Sequence, residues 1–253
     1  MGTTESSIIQ VIVRASNILD CFCRERPNLS INELATLTGL NKGTVYRILV
    51  TLQSIGWIEQ DKASRKYHLG IGLFRLGNVV KSRLLIASTA RPILEDIQRR
   101  CDETVLLYAK YGDAMITLDC ITGSQFVRAA GDAGEVKPFT TTVLSICLLA
   151  YMSDDEIHQV LPSLSGERLA QLKEDIATVH WQGYFIAPGE RYPDAMGISA
   201  PIFDDMGNCV AELCLYGPLY RVSTKRQECI DAILNGANQI SSRLSISMEK
   251  GYI

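Results

Sequence analysis

The stretch "LNKGTVYRIL", residues 40–49, combines apolar side chains at helical spacing with a set of polar donors. Val45, Ile48 and Leu49, continued by Leu52, recur at the interval of a buried helical stripe. The other positions carry lysine, threonine, tyrosine and arginine, whose side chains bind phosphates and base edges in nucleic acids. This division predicts a helix that packs on its domain with one face and contacts DNA with the other.

Local signals around that stretch predict a winged helix-turn-helix. "SINE" at 30–33 is the pattern of a capping box, Gly39 can end the first helix in the left-handed conformation, and Asn41 can cap the second. "WIEQDKASRKYHLG" at 57–70 predicts two short strands around a polar turn. With a helix at 8–22, these elements follow one another in the order of the winged motif, whose second paired helix lies in the major groove.

We predict DNA contacts at the helix starts, on the outer face of the second paired helix and at the wing. The candidates are Ser30, Asn41, Lys42, Gly43, Thr44, Tyr46, Arg47, Thr51, Arg65 and Lys66. Arg47 can pair bidentately with a guanine edge, and Lys42 and Thr44 suit phosphates or a thymine methyl group. Gly43 would let the backbone approach the DNA closely. The alternative is a plain helical hairpin with solvated charges, and the wing that follows favours DNA binding.

The charge distribution agrees with this interpretation only weakly. The formal net charge of the 253 residues is −3, which by itself gives no support for a nucleic-acid partner. Residues 1–70 carry eight Lys or Arg against six Asp or Glu, a net charge of +2, and the remainder carries −5. The sequence therefore predicts a slightly basic head on an acidic body.

The rest of the chain predicts an α+β body. A linker helix and a second helix restarted at Pro92 precede two β-rich runs that turn at Gly112 and Asp113. Further predicted elements are a strand at "QFVRAA" (125–130), helices at 140–151, 153–161 and 168–183, a hairpin turning at 205–208, and a closing amphipathic helix at 226–246. We predict an antiparallel sheet with helices packed on it, in a chain divided into a DNA-binding domain (1–70), a linker helix (71–90) and an effector-binding and oligomerisation domain (91–253).

Catalytic and metal-binding signals are weak throughout the sequence. The three histidines do not cluster with acids or cysteines, the eight cysteines form no CxxC pair, and no GxSxG or HExxH motif occurs. We therefore predict no catalytic residue, no metal site and no cofactor. The sequence also lacks a signal-peptide pattern and an apolar run long enough to span a bilayer, so we expect a cytoplasmic protein with reduced thiols and no membrane partner.

These residues resemble the IclR-type family of bacterial transcription regulators along nearly the whole chain. The resemblance rests on "VRASNILDCF", "INELATLTGLNKGTVYRILVTLQSIGWI", "KYHLGIGLFRLG", "ARPILEDI" and "GISAPIFDDMGNCVAELCLYGP". It implies an N-terminal winged helix-turn-helix and a C-terminal effector domain similar to GAF and PAS sensors. It also implies a dimer or a dimer of dimers that binds palindromic operator DNA as a repressor or an activator.

The departures from the family concern the effector site. Ser145 and Ile146 stand where members commonly have a Gly-Lys pair. By alignment with members that bind organic acids, the polar anchors fall here on Ala187, Gly197, Cys214 and Tyr216. The candidate effector residues are Val143, Leu144, Ser145, Ile146, Ala187, Ala195, Gly197, Ile198, Cys214 and Tyr216. Such a lining favours an aromatic or apolar guest, because a poorly paired carboxylate costs several kcal/mol by order of magnitude.

The leading hypothesis is a repressor that an aromatic or apolar small molecule releases from its operator, in control of efflux or of aromatic breakdown. A regulator that responds to a small organic acid is the first alternative. A small-molecule enzyme with a winged-helix domain is the second, and a pocket with several perturbed titratable groups in mutual reach would favour it. A DNA-architectural protein without a ligand is the third.

Overall fold

The computed structural model describes residues 8–23, 25–83, 85–129, 131–139, 145–188 and 194–249. The chain divides into two compact units, residues 1–82 and residues 83–253. The helix-turn-helix elements lie in the first unit, and the large sheet lies in the second. The finer division into 1–70, 71–90 and 91–253 stays a prediction.

The first unit contains the predicted helix pair and wing. Its described elements are α1 (Gln10–Leu19), α2 (Ile31–Thr38), α3 (Lys42–Ser54), β1 (Ile58–Gln60), β2 (Tyr67–Leu69) and the start of α4 (Ile71–Arg83). Ser30 and Glu33 form the capping box of α2, and Gly39 ends that helix with a φ of +69°. Asn41 caps α3, because the Thr44 N–H donates to Asn41 Oδ1 at 2.8 Å. The cap residues therefore set both ends of the turn between α2 and α3.

A small apolar core holds these elements together. It is formed by side chains from every element of the helix pair and wing: Ile18, Phe22, Leu29, Leu34, Val45, Ile48, Leu49, Leu52, Ile58 and Tyr67. The four apolar residues that the sequence assigns to the inner stripe of α3 all belong to it. Burial of one such side chain stabilises the fold by about 1.5–3 kcal/mol, so the inner face of α3 is committed to the core.

The wing is a short antiparallel hairpin with a polar turn, as predicted. Ile58 lies opposite Leu69, and Gln60 lies opposite Tyr67. In the turn, the Ser64 N–H donates to Asp61 Oδ1 at 2.7 Å, and Arg65 adopts a left-handed φ of +59°. The turn therefore presents consecutive polar and basic side chains at the tip of the hairpin.

The second unit is a six-stranded antiparallel sheet with helices on both faces. Its described elements are α5 (Leu85–Cys101), β3 (Thr104–Tyr111), β4 (Ala114–Ile121), β5 (Val136–Pro138), α6 (Ile146–Leu149), α7 (Asp154–Val160), α8 (Glu167–Gln182), β6 (Phe185–Pro188), β7 (Ala195–Phe203), β8 (Cys209–Pro218), α9 (Leu219–Thr224) and α10 (Arg226–Glu249). The strand order is β5-β4-β3-β8-β7-β6. The predicted α+β class and both predicted hairpins are confirmed.

Alternate side chains of each strand pack on opposite faces of this sheet. One face, here called the α5–α10 face, packs against those two long helices through residues such as Val105, Ile198 and Leu213. The other, here called the α6–α8 face, packs against the three shorter helices through residues such as Leu106 and Cys214. The sheet therefore separates two apolar cores within one unit.

A β-bulge interrupts the pairing of β3 with β4. Leu107 lies opposite Asp119 and Tyr108 lies opposite Thr117, so Leu118 has no partner in the register. Leu118 packs on the α5–α10 face. Asp119 is directed to that face as well, because Arg91 Nη1 of α5 donates to Asp119 Oδ1 at 2.8 Å. The bulge thus places two consecutive residues on one side of the sheet.

The predicted strand at 125–130 is wrong for the residues that the structure describes. Residues 124–127 form a bend, and their polar groups bind side chains: the Ser124 N–H donates to Asp102 Oδ1, and Arg221 Nη2 donates to the Val127 carbonyl oxygen. The Phe126 side chain is 97% exposed, so the apolar residues of this segment do not form the buried face of a strand. The third strand of this region is β5 instead.

Helix boundaries differ from the prediction in the middle of the chain. Pro92 does not restart a helix, since α5 begins at Leu85 and continues through the proline. Proline removes one amide donor, and the apolar stripe of α5 on the sheet outweighs that loss. The helix predicted over 140–151 is described only as α6 and a turn, and residues 140–144 lie outside the described residues. Strand β6 and helix α9 were not predicted.

In the part of the chain described, no helix has the length and apolarity needed to cross a membrane.

Candidate DNA-binding surface and effector site

Helix α3 presents an exposed stripe opposite its buried face. Lys42, Gly43, Tyr46, Arg47 and Thr51 are exposed, and Thr44 is half-buried beside them. Gly43, Arg47 and Thr51 recur every four residues and Lys42 and Tyr46 are likewise four apart, which is the geometry of one helix side. The helix sequence contains no acidic residue, so nothing on α3 itself opposes an approaching phosphate. The structure thus gathers six of the ten predicted DNA contacts on one surface, here called the α3 stripe.

Val50 belongs to the same stripe and was not predicted. It follows Tyr46 by one helical turn, and its side chain is 45% exposed. An exposed valine at this place can contact a thymine methyl group. The spacing of four from Tyr46 was the sequence signal that could have identified it.

Ser30 and Asn41 have local roles that the DNA prediction did not weigh. The Glu33 N–H donates to Ser30 Oγ at 3.3 Å, and the Ser30 N–H donates to Glu33 Oε2 at 2.7 Å. These hydrogen bonds, with Lys66 as a weaker contributor, hold the pKa of Glu33 below its ordinary value. Asn41 Oδ1 is likewise used by the cap of α3. Their first function is to define the helix starts that carry the surface.

The two predicted wing residues differ in their surroundings. Lys66 Nζ lies 3.4 Å from Glu33 Oε1, in an ion pair that links the wing to α2. Both side chains are more than one third exposed, so water screens this pair and it contributes little to stability. The Arg65 side chain is exposed, and its carbonyl oxygen accepts a hydrogen bond from Gln60 Nε2 at 2.9 Å. Arg65 is therefore held at the backbone while its guanidinium points to solvent.

An open groove of about 1050 Å³ lies between α2 and the wing. Its lining includes Glu25, Glu33 and Asp61 as well as Arg26 and Lys66. The mixture of charges on an open surface differs from the mostly apolar, enclosed lining of a small-molecule site. We therefore look for the effector site in the second unit.

The α6–α8 face brings together most of the predicted effector residues that the structure describes. Register places Tyr216 of β8 between Thr104 of β3 and Gly197 of β7. Cys214 lies in the next row, opposite Ser199. Residues Ser145, Ile146, Ala195 and Cys214 are buried, and Tyr216 is half-buried.

Ile198 is not on that face, and its placement in the predicted pocket is wrong. Its side chain packs in the core between the sheet, α5 and α10. The physical reason is the period of two along β7, which turns Ile198 away from its neighbours Gly197 and Ser199. Val143 and Leu144 lie outside the described residues. The backbone of Ala187 lies opposite Gly197 in the β6–β7 pair.

Four cysteine thiols lie on this face, and burial raises the pKa of each of them: Cys120, Cys147, Cys209 and Cys214. Cys147 Sγ lies 3.2 Å from Ser199 Oγ. Burial raises the pKa of the Cys147 and Cys214 thiols well above the ordinary value and that of Cys209 to about 12. A neutral thiol is a poor nucleophile and a poor metal ligand. Among the described residues there is also no group of three or more His, Cys, Asp or Glu side chains that could hold a metal ion.

Glu212 is a buried acid of this face that the sequence analysis missed. It precedes Cys214 by two residues on β8, so the strand period was the signal that could have identified it. Its side chain has no exposed surface, and burial raises the pKa of its carboxyl well above 4.5. The effector face therefore contains a neutral carboxyl group beneath α6.

Comparison with known proteins identifies both units. A family model described as the IclR helix-turn-helix domain matches residues 11–62, and one described as the bacterial transcriptional regulator IclR C-terminal matches residues 78–242. The chain is 28% identical over 260 residues to the HTH-type transcriptional regulator BhcR of Paracoccus denitrificans (strain Pd 1222), covering 99% of this chain and 93% of that relative.

Solved structures have the same fold. An IclR transcriptional regulator from Alicyclobacillus acidocaldarius aligns with a TM-score of 0.82 at 21% identity, covering 93% of this chain and 98% of the other. An IclR homolog from Microbacterium hydrocarbonoxydans, complexed with 4-hydroxybenzoate, aligns with a TM-score of 0.81 at 20% identity, covering 92% and 98%. Because the two family models span most of its length, the chain belongs to the IclR family of bacterial transcriptional regulators.

Proposed function

We propose that the protein is an operator-binding repressor that releases DNA when an aromatic or apolar small molecule binds its second unit. The observation that carries the DNA-binding half is the α3 stripe, an exposed acid-free helix face whose reverse side is fixed in the core. Lys42, Arg47 and Thr51 would contact phosphates and base edges in the major groove, and Arg65 would contact the flanking backbone. Operator binding requires residence in the cytoplasm.

The effector half of the proposal rests on the composition of the α6–α8 face. Cys214, Tyr216 and Ile146 provide an apolar and aromatic lining, and Gly197 contributes no side chain. The buried acid Glu212 on the same face is neutral, so it gives a ligand carboxylate no compensating positive charge. The IclR homolog from Microbacterium hydrocarbonoxydans is complexed with an aromatic acid, 4-hydroxybenzoate. We place this chain with an aromatic ligand that lacks the acid group.

Transmission between the units would use the linker. Helix α4 of the first unit is followed directly by α5, whose apolar stripe packs on the sheet that carries the effector face. A ligand that binds one conformation better than the other shifts the population toward that conformation. We propose a homodimer or a dimer of dimers as the working form, since palindromic operators match a two-fold assembly. Efflux or aromatic breakdown would be suitable target pathways for such a ligand.

An enzymatic function is the second candidate, because the α6–α8 face does hold several perturbed titratable groups. Those groups are thiols, the Tyr108 phenol and one carboxyl, and burial raises the pKa of each of them. All of them are therefore neutral acids, and the set lacks the base that would activate a nucleophile. The chemistry of the face supports ligand binding rather than catalysis.

The test is a footprint on the promoter that flanks the gene, followed by titration of the complex. Fluorescence anisotropy with the footprinted DNA should show binding that weakens steeply with salt, because phosphate contacts release counterions. Addition of 4-ethylphenol should release the DNA, and addition of glyoxylate should not. Release by glyoxylate alone would overturn the effector class, and a flat salt dependence would overturn DNA binding.

A further inference from the structure

Three polar side chains form one row across the α6–α8 face. Thr117 of β4 lies opposite Tyr108 of β3, and Tyr108 lies opposite Glu212 of β8. All three residues are buried. Adjacent strands lie about 4.8 Å apart, so the Thr117 and Glu212 backbones are separated by about 10 Å. The row, here called the Glu212–Thr117 row, thus has a polar group at each end and an aromatic ring between them.

The two ends of the row have no hydrogen-bond partner among the described residues. This holds for both carboxyl oxygens of Glu212 and for Thr117 Oγ1. The backbone of Leu148 lies near the Glu212 carboxyl, but no N–H group reaches it with hydrogen-bond geometry. Buried polar groups without partners are rare in folded proteins, because each one forfeits its hydration. Two of them in one row point to a partner that lies outside the described residues.

The surroundings select the chemistry of that missing partner. The titratable groups that face Glu212 are Cys147, Cys209, Cys214 and Tyr108, and burial raises the pKa of all four. Among the described residues no cation therefore offsets a charge at the Glu212 end, and a ligand carboxylate would have no positive partner there. At the other end, Lys137 Nζ lies 5.8 Å from the Tyr108 ring centroid and is paired with Glu135 at 2.9 Å. The row is thus acidic at one end and carries a lysine near the other.

We infer that the Glu212–Thr117 row is a binding site for a hydroxyphenylalkylamine, in which a short alkyl chain joins an amino group to an aromatic ring that carries a hydroxyl group. The amine would bind Glu212, the ring would lie along Tyr108, and the hydroxyl would bind Thr117. This inference rests on the proposed function, because it names the ligand class of the proposed effector face. Glu212 would give up its proton on binding: an ammonium ligand displaces that proton to solvent, and a neutral amine accepts it. Either way the product is an ammonium–carboxylate pair in a desolvated site.

Entry of such a ligand requires movement of α6. Cys147 and Leu148 of this four-residue helix lie against Glu212. A helix of one turn has few internal hydrogen bonds to lose, but all four of its side chains are buried, so the ligand must replace the apolar contacts that they leave. Ligand binding would therefore change the position of α6 as well as satisfy Glu212.

The test compares three ligands with one scaffold on the full chain. Tyramine carries the amine, 4-ethylphenol lacks a head group, and 4-hydroxyphenylacetate carries an acid in its place. By calorimetry, tyramine should bind at least about tenfold more tightly than either of the others. Titration in buffers of different ionisation enthalpy, near neutral pH, should show release of about one proton per tyramine bound. Tyramine binding no tighter than that of 4-ethylphenol would overturn the inference.

Variants test the assigned residues. Glu212→Gln keeps the size of the side chain and should lower tyramine affinity by about tenfold or more, abolish proton release and leave 4-ethylphenol unchanged. Thr117→Val should lower tyramine affinity a few-fold, and Glu174→Gln, on the exposed side of α8, is the matched control with no expected effect. Unaltered tyramine binding by a folded Glu212→Gln variant would overturn the inference. If 4-ethylphenol still releases DNA while tyramine does not bind, the amine inference fails and the proposed function stands. Failure to bind operator DNA overturns the proposed function separately.

Discussion

Arg221 and Glu103 form a bidentate ion pair, in which Arg221 Nε and Nη2 donate to the two carboxylate oxygens at 2.7 and 2.8 Å. The Glu103 carboxylate is fully buried and packs against Gly217, where a Cβ would overlap it. Arg221 Nη2 also donates to the Val127 carbonyl oxygen at 2.8 Å. The pair thus joins the start of β3, the end of β8 and the bend that follows β4.

Removal of the arginine should be strongly destabilising. Arg221→Gln would remove the bidentate partner of the buried Glu103 carboxylate and leave only the Lys225 ammonium, 4.0 Å from Glu103 Oε1. Loss of one partner of a buried pair costs about 3–5 kcal/mol. Urea unfolding followed by circular dichroism measures this loss. Arg226→Gln, at an exposed position five residues away, should change the free energy of unfolding by less than about 0.5 kcal/mol. Equal stability of the two variants would show that the ion pair contributes nothing.

Substitution on the α3 stripe should separate base recognition from phosphate contact. Arg47→Ala should weaken binding to the footprinted operator by about 1–3 kcal/mol and relax the preference at one base pair, if the guanidinium contacts a guanine edge. Lys42→Ala should weaken binding to all sequences and reduce the slope of log affinity against log salt by about 1. Anisotropy titrations on operator and scrambled DNA provide both measurements.

The control for these titrations is Lys173→Ala, on α8 of the second unit, which should bind operator like the wild type. If Arg47→Ala retains the full sequence preference, Arg47 does not contact a base edge. If Lys42→Ala leaves the salt slope unchanged, Lys42 makes no phosphate contact.

Gly43 should show opposite effects on folding and on DNA binding. A Cβ at this position would meet only Asn41 Oδ1, at an ordinary contact distance of 3.5 Å, so the free protein has room for it. Gly43→Ala should therefore stabilise the first unit by about 0.5–1 kcal/mol through its better helix propensity. Operator affinity should fall, because the added methyl group separates α3 from the DNA backbone. Thermal unfolding and anisotropy measure the two effects, and a variant that gains stability without losing affinity would contradict the close approach.

The buried acid Glu212 predicts an unusual dependence of stability on pH. Burial raises the pKa of its carboxyl well above 4.5, so the folded chain keeps a proton that the unfolded chain releases. The contribution of this group to stability is therefore largest below about pH 4.5 and is lost as the pH rises toward the folded pKa. Glu212→Gln cannot release a proton, so its stability should exceed that of the wild type increasingly from about pH 5 to about pH 8. Urea midpoints across this range test the prediction, with Glu174→Gln as control. Parallel curves for wild type and Glu212→Gln would contradict it.

Local sequence signals predicted the first unit well. Ser30, Gly39 and Asn41 define helix ends through hydrogen bonds and dihedral angles within a few residues, which a sequence pattern contains. The hairpins of the second unit were also predictable, since turn residues flank alternating runs. The prediction of a strand at 125–130 was wrong because the structure of this segment depends on distant residues. Asp102 and Arg221 bind its polar groups.

The effector face was only partly predictable, because a linear alignment does not record side-chain direction. Gly197 and Ile198 are neighbours in the sequence, but the strand places Ile198 on the opposite core. Glu212 was overlooked because no local pattern distinguishes a buried acid from an exposed one. Its partners Tyr108 and Thr117 are contributed by other strands, so only the sheet register brings the row together.

The bulge in β4 determines where this protein tolerates a change in chain length. If a regularly paired residue of β4 were deleted, the side chains beyond it would move to the opposite face of the sheet. Asp119 would then no longer meet Arg91. Leu118 is the exception, since its deletion leaves Leu107 opposite Asp119 and Tyr108 opposite Thr117 in a regular ladder. Among relatives that lack one residue in this strand, the gap should therefore fall at position 118.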